Sequence, residues 1–383
     1  RAWVAGLKLT GRDAGIARDV VTEIRSRLEF LAEVGLGYQP EPAVITQGRK
    51  FLYDARISSG HGDLSCGSCH AFGHFDALVW DLGNPVGTMS GAGNGSDGFH
   101  PMKGPMATQS LRGLADLSPY HWRGDRGDFT RFNPAFTSLM GLADTLSDFD
   151  MQKFNDFTMT IAYPGNPYQN LDRSYPTSGI GPGNAERGRR EFTLTPHEGT
   201  VKCQDCHQSA PSPSQLFLVS PGTNRTAVPG LGGPNGQVFK IAHLRGLYEK
   251  TGFLNAAGPQ KRGFGFNHDG RFDTVSNFLV QPQFMFTSAQ QRKDLESFML
   301  CFDTGMAPAV GAQQTVDATN QSAPGVTSRI NTLVARAALG ELDLVVKGRK
   351  GGLQRGWLYS GINPMSLLGG SAADGIAGFG FRF

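Results

Sequence analysis

The sequence predicts a mainly α protein of two tandem, repeated domains with long loops, followed by a small C-terminal β-containing extension. Three observations predict it. A Cys-x-x-Cys-His motif occurs twice, at 66–70 and 203–207, each time after a short helical stretch. Glycine and proline, 52 and 22 of 383 residues, gather in a few long stretches that read as loops. Beyond about residue 310 the pattern turns to short strand-like runs.

The elements follow in order. Residues 13–34 have a helical period, an acidic first turn and glycines beyond the end, which predicts a helix. A second helix is expected over about 46–54, leading into the first motif. Residues 83–105 form a long Gly/Asn/Ser/Pro loop. Helical patterning returns within 127–163, and 164–184 is a Pro/Gly/Asn linker. A helix over about 185–193 precedes the second motif, a second loop spans 209–236, and a helix follows at about 288–301. QQTVDA at 313–318 reads as a strand, and LDLVVKG with LQRGWLYS reads as a hairpin around RKGG. The terminal GFGFRF alternates as a strand would. The expected divisions are an N-terminal helical segment at 1–45, domains at 46–163 and 164–309, and the extension at 310–383.

The two central domains are read as repeats. SLRGL (Ser110 to Leu114) and HWRG (His121 to Gly124) follow the first motif. HLRGL (His243 to Leu247) and NHDG (Asn267 to Gly270) follow the second. Arg112 lies 42 residues after His70, and Arg245 lies 38 after His207.

Composition excludes some partners. A net charge of +3 is too small to argue for nucleic acid or a membrane surface. No apolar run reaches the ~18 residues of a membrane span, so no transmembrane helix is expected. The sequence opens at Arg1 without a visible signal peptide, so it reads as a processed chain or a fragment of a longer one.

The motif chemistry is that of covalent c-type haem. Positions one and four of a helical turn face one side, so two thiols can each add to a vinyl group of one porphyrin. The next residue, His70 or His207, then ligates the iron as the proximal ligand. The cofactor-binding set is Cys66, Cys69 and His70, then Cys203, Cys206 and His207. Zinc would use other spacings, and a thioredoxin-like pair would not recur with histidine attached. Arg112 and Arg245 are candidates for pairing with haem propionates, with a surface ion pair as the alternative. Cys301, on an apolar helix, is expected to be a buried structural thiol. His61, His74 and His197 flank the motifs without an assigned role, and His243 is near the second motif in sequence.

Over about 46–305 the chain resembles the bacterial di-haem cytochrome c peroxidase superfamily. GRKFLYDARIS…LSCGSCH resembles its entry to the first haem. FHPMKGPMATQSL (Phe99 to Leu111) resembles its loop bearing a histidine before Lys-Gly-Pro. YHWRGDR (Tyr120 to Arg126) resembles its Phe-Trp-Asp-Gly-Arg segment. FKIAHLRGL…FNHDGRFDTV resembles its Phe-Lys-x-Pro-x-Leu-Arg-Asn…His-Asp-Gly-Ser segment. The resemblance implies two cytochrome c-like haem domains facing across an interface, with two covalently bound haem c groups (iron).

It also implies ligands. His100 would be the distal ligand of the first haem, but stands one position off the family register, and Met102 and Met106 are its rivals. Trp122 matches a tryptophan between the haems and is the electron-relay candidate, with core packing as the alternative. His268 matches a histidine near the second haem. Met285, 17 residues later, is the first choice for the second iron, and His268 is the alternative.

Two departures stand out. The family's acid soon after Asp-Gly-Arg, which serves at the peroxide site, is missing from GDRGDFTRFNPAF, where Asp125 and Asp128 lie elsewhere. Ala107 replaces an asparagine that helps to bind calcium, so calcium is not carried over. The expected function is therefore a di-haem c-type cytochrome moving electrons between its haems, periplasmic or extracellular, with a redox partner protein. The alternatives are a cytochrome c peroxidase-like oxidoreductase reducing hydrogen peroxide at the N-terminal haem, or a haem-bearing part of a larger multi-domain assembly.

Overall fold

The computed structural model describes residues 41–83, 104–179, 183–207, 209–211, 217–219, 240–252, 265–350, 353–359 and 366–367. The helix expected at 13–34, most of the loops at 83–105 and 209–236, and the terminal GFGFRF lie outside these residues. Helices dominate and strands are few and short, so the described chain is mainly α. It divides into two compact units, Glu41–Pro308 and one whose described residues begin at Ala309.

Within Glu41–Pro308 one backbone plan appears twice. Helix α1, Ala43–Tyr53, starts after Pro42 and leads to the one-turn helix Cys66–Cys69. Helix α2, Asp148–Met159, is capped by Ser147, whose side chain accepts the Asp150 N–H. Asp148 and Asp150 in its first turn favour the positive end of the helix dipole. The rest of 127–163 is less helical than expected, with a 3-10 turn at Phe129–Phe132 and one α-helical turn at Ala135–Ser138. Helix α3, Ala185–Leu194, is capped by Asn184 and leads to the one-turn helix Cys203–Cys206. Helix α4, Ala289–Leu300, is capped by Ser288.

In each repeat the leading helix crosses the closing one at a glycine. A Cβ on Gly48 would overlap the carbonyl oxygen of Lys153 and the Cβ of Phe157. A Cβ on Gly188 would overlap the Asp294 carbonyl oxygen and come within 2.8 Å of the Phe298 Cβ. These crossings bring two phenylalanine-rich cores together. Phe51, Leu52, Phe129, Phe136, Met151 and Phe154 build the first. Phe192, Leu244, Val275, Leu295, Phe298 and Phe302 build the second, which also buries Cys301. Each such side chain removed from water contributes about 1.5–3 kcal/mol.

The unit from Ala309 holds helix α5, Pro324–Ala338, and a three-stranded antiparallel sheet. Its strands are β1, Val345–Lys350, β2, Leu353–Leu358, and β3, Ser366–Leu367. Lys350 pairs with Leu353, so the expected hairpin is present. The expected strand at 313–318 is not. There the Asp317 carboxylate accepts the N–H groups of Thr319 and Asn320 and turns the chain towards α5. Helix α5 was not expected from the sequence. Its signals are Pro324 in the first turn and Val326, Ile330, Leu333 and Val334 at helical spacing, with Leu333 buried.

Candidate functional site

The two motifs share their helical turn, its closing bond and the backbone angles of the histidine that follows. In the first, the Ser68 hydroxyl accepts the Ser65 N–H at 3.1 Å. In the second, the Asp205 carboxylate accepts the Lys202 N–H at 2.9 Å. Each bond closes its one-turn helix from the third position, as a capping box does. The histidines that follow have φ/ψ of −90°/59° and −87°/64°. Cys66 packs on the first core and Cys203 on the second. Burial pushes these thiols up to about 11 and about 12. Unlinked, they would be protonated at neutral pH, unlike the low-pKa cysteine of a redox pair. Among the described residues, no group of three or more His, Cys, Asp or Glu side chains converges as a zinc site requires.

Both histidines anchor Nδ1 on backbone carbonyls. His207 Nδ1 donates to the Ala242 carbonyl at 3.0 Å. His70 Nδ1 donates to the His74 carbonyl at 3.4 Å, and the Gln109 carbonyl also reaches it. Gln109 and Ala242 are repeat equivalents, since each precedes the Leu-Arg-Gly-Leu run by two residues. A carbonyl can only accept, so Nδ1 carries the proton and Nε2 keeps its lone pair. Burial lowers the pKa of His70 and takes that of His207 down to about 4, so both rings are neutral at pH 7. A neutral imidazole with Nδ1 anchored to a carbonyl is the form that ligates a metal through Nε2. Two one-turn cysteine helices, each followed by such a histidine, fit two c-type haems.

A junction joins the repeats at one aromatic ring. Gly113 and Gly246, the glycines of the two Leu-Arg-Gly-Leu runs, have φ of 66° and 72° and open equivalent 3-10 turns. A Cβ on Gly113 would stand 2.9 Å from Tyr163 Cδ2, and one on Gly246 3.0 Å from Tyr163 Cε1. The two turns therefore close on opposite edges of Tyr163, which is buried. The Tyr163 hydroxyl and Ser110 share a hydrogen bond. Ser110 Oγ also bonds His74 Nδ1 at 2.7 Å and accepts the Arg112 N–H at 3.1 Å. His74 Nε2 lies 2.8 Å from Glu249 Oε2, a close polar contact, and burial lowers the pKa of the His74 ring.

The backbone loops beyond the junction repeat as well. Tyr120 bridges Arg126, and Phe266 bridges Phe272. His121 and Asn267 both have positive φ, at 68° and 73°. Trp122 and His268 follow them at equivalent places. Trp122 Nε1 donates to the Ala107 carbonyl at 2.8 Å, and its own carbonyl accepts the Lys240 N–H at 2.9 Å. Lys250 Nζ lies 5.4 Å from the centre of its ring. The His268 carbonyl accepts the Ala107 N–H at 2.7 Å. Trp122 and His268 thus meet at Ala107, between the repeats.

The other expected residues are dispersed. His100 and Met102 lie outside the described residues. Met106 is half-buried in a two-residue ladder opposite Trp80. Met285 is 54% exposed, and both its N–H and its carbonyl bond to His197, at 2.7 and 2.9 Å. His268 is buried, and burial lowers its pKa. Arg112 pairs with Glu249 at 3.5 Å across the repeats. Arg245 is buried, with Nη1 3.1 Å from where a Gly113 Cβ would stand.

Sequence reasoning missed Tyr163 and Glu249, whose contacts lie far apart in the chain, and gave His74 and His197 no role. It also left Asp125 without a partner. That carboxylate bonds His121 Nδ1 at 2.8 Å and the guanidinium groups of Arg123 and Arg126 at 3.1 Å. Burial alone would raise its pKa, but these partners outweigh it and hold Asp125 well below the usual carboxylate range. It is a fixed anion, unsuited to proton transfer near neutral pH.

No protein-family model matches the chain, and no curated protein does. Solved structures similar to it include hydrazine synthase from Kuenenia stuttgartiensis, at 19% identity over 71% of this chain and 92% of that one, with a TM-score of 0.46. A MauG-like protein associated with microbial copper homeostasis is 14% identical over 69% and 89%, with a TM-score of 0.39. The diheme peroxidase BthA from Burkholderia thailandensis is 13% identical over 79% and 86%, with a TM-score of 0.34. Every TM-score is below 0.5, so the reading of function rests on the chain's own residues.

Proposed function

We propose that the chain is an exported di-haem c-type cytochrome that moves electrons between two covalently held haems and a redox partner protein. The observation that carries this reading is the pair of half-buried, neutral histidines, each with Nδ1 on a carbonyl and each directly after a one-turn Cys-x-x-Cys helix. A c-type haem bound at each motif supplies a one-electron iron couple. Cys66 and Cys69 would hold the first porphyrin and Cys203 and Cys206 the second, with Nε2 of His70 and of His207 on the irons. His100, Met102 or Met106 would complete the first iron, and Met285 or His268 the second. Trp122, at the contact between the repeats, offers a conjugated path across it. The tandem-domain organisation, the partner and a location outside the cytoplasm belong to the same proposal. No helix among the described residues is long and apolar enough to cross a membrane.

Peroxide reduction is the rival. It needs an openable iron site and a proton donor, and the acid nearest the family's position, Asp125, is held as an anion. The test is expression in a host that attaches haem c, followed by haem counting and absorption spectra. Two haems per chain, low-spin in both oxidation states and unchanged by peroxide, are expected. Fast peroxide turnover with a reduced cytochrome donor would replace the carrier reading with the peroxidase one. Failure to retain haem covalently would overturn both.

A further inference from the structure

The two proximal histidines are anchored differently. His207 gives its Nδ1 proton to the carbonyl of Ala242, a residue of its own repeat. His70 is shared between two carbonyls of its repeat, those of His74 and Gln109. The His74 ring joins both prongs of that fork. Its Nδ1 bonds Ser110, the residue after Gln109, at 2.7 Å. Its Nε2 is 2.8 Å from the carboxylate of Glu249, which sits on the Leu247–Glu249 turn of the other repeat. Arg112 holds the second oxygen of that carboxylate at 3.5 Å. The nearest counterpart in the second repeat stays local: His197 Nε2 lies 3.2 Å from Glu191, on α3 of the same repeat.

We infer that Glu249 is a positioning residue for the first haem, acting from the second repeat through the His74 ring on the carbonyls that orient His70. The inference rests on the di-haem reading. The direction and strength of a proximal histidine's Nδ1–H bond set its ring orientation and its basicity towards the metal. A shift of the Leu247–Glu249 turn therefore reaches the first ligand through the His74 ring.

The experiment uses the full, haem-loaded chain and reads each haem's low-temperature electron paramagnetic resonance signal and midpoint potential. The signals are assigned with a variant lacking Cys66 and Cys69. Glu249→Gln removes the charge and keeps the shape. It should shift the g-values and the potential of the first haem and leave the g-values of the second in place. Ser110→Ala changes no charge and frees the same ring, so it should also move the first haem's g-values. Glu191→Gln should leave the first haem unchanged. The inference falls if Glu249→Gln and Ser110→Ala both leave the first haem's g-values untouched. It falls equally if both haems shift together, which is the mark of a long-range charge effect. Absence of haem from the wild-type chain would instead overturn the underlying reading.

Discussion

In the first repeat, His70 leans on a fork of carbonyls tied through His74 to a carboxylate of the other repeat. In the second, His207 makes one shorter bond to a backbone oxygen of its own repeat. The loops that follow differ in the same sense. One carries Trp122 and a buried anion, Asp125, clasped by two arginines. The other carries His268 and Asp269, which pairs only with the neighbouring Arg271 among the bonds described. The two stretches share their motif turns, their Gly113 and Gly246 turns and their glycine crossings, while the polar groups around them differ. The backbone turns recur because the packing recurs, whereas the partners of His70 and His207 are set by each stretch's own residues.

The comparison can be strained at several points. The largest effect is expected from Tyr163→Ala, which empties the slot that both Leu-Arg-Gly-Leu turns share. It should cost about 3–5 kcal/mol in chemical denaturation. Both repeats should loosen together, and loss of only one repeat's signal would show the ring to be a local packing residue. Next is Gly188→Ala, which forces the α3–α4 crossing apart and should cost about 3 kcal/mol. Gly48→Ala should do the same to α1 and α2, leaving the second core's amide-exchange protection intact.

Asp125→Asn removes a carboxylate that three groups stabilise and should cost about 2 kcal/mol at pH 7. The sign with pH follows from its lowered folded pKa. The carboxylate's contribution is full above the unfolded value of about 3.9 and fades as pH falls below it. Thermal scans of the wild type should therefore lose stability below about pH 4, and the Asn variant should lose less over that range. The smallest structural effect is expected from Trp122→Phe, about 1 kcal/mol for the lost bond to the Ala107 carbonyl. Flash photolysis should show slower electron exchange between the haems in that variant. An unchanged rate would place the path elsewhere.

Much of this was legible in the chain itself, for physical reasons. The motifs are local, so cysteine spacing and the adjacent histidine could be read without a fold. Helices α1, α3 and α4 announce themselves by apolar period and by caps such as Asn184 and Ser288. The Leu-Arg-Gly-Leu run marks equivalent turns because each turn needs a positive φ that glycine supplies. The junction was not legible. Tyr163 lies in neither repeated motif, and Glu249 meets His74 only after both repeats have folded. The run at 313–318 was misread because alternation over a few residues also fits an extended segment closed by an aspartate turn.

Tyr163 also bears on how this chain could be divided. It stands just before the 164–184 linker, yet its ring fills a gap lined by turns from both sides of that linker. A cut in the linker would leave one fragment carrying an unshielded aromatic plug and the other an empty socket. The two pieces would be expected to find each other in solution, so fragment complementation would report on the junction without any cofactor attached.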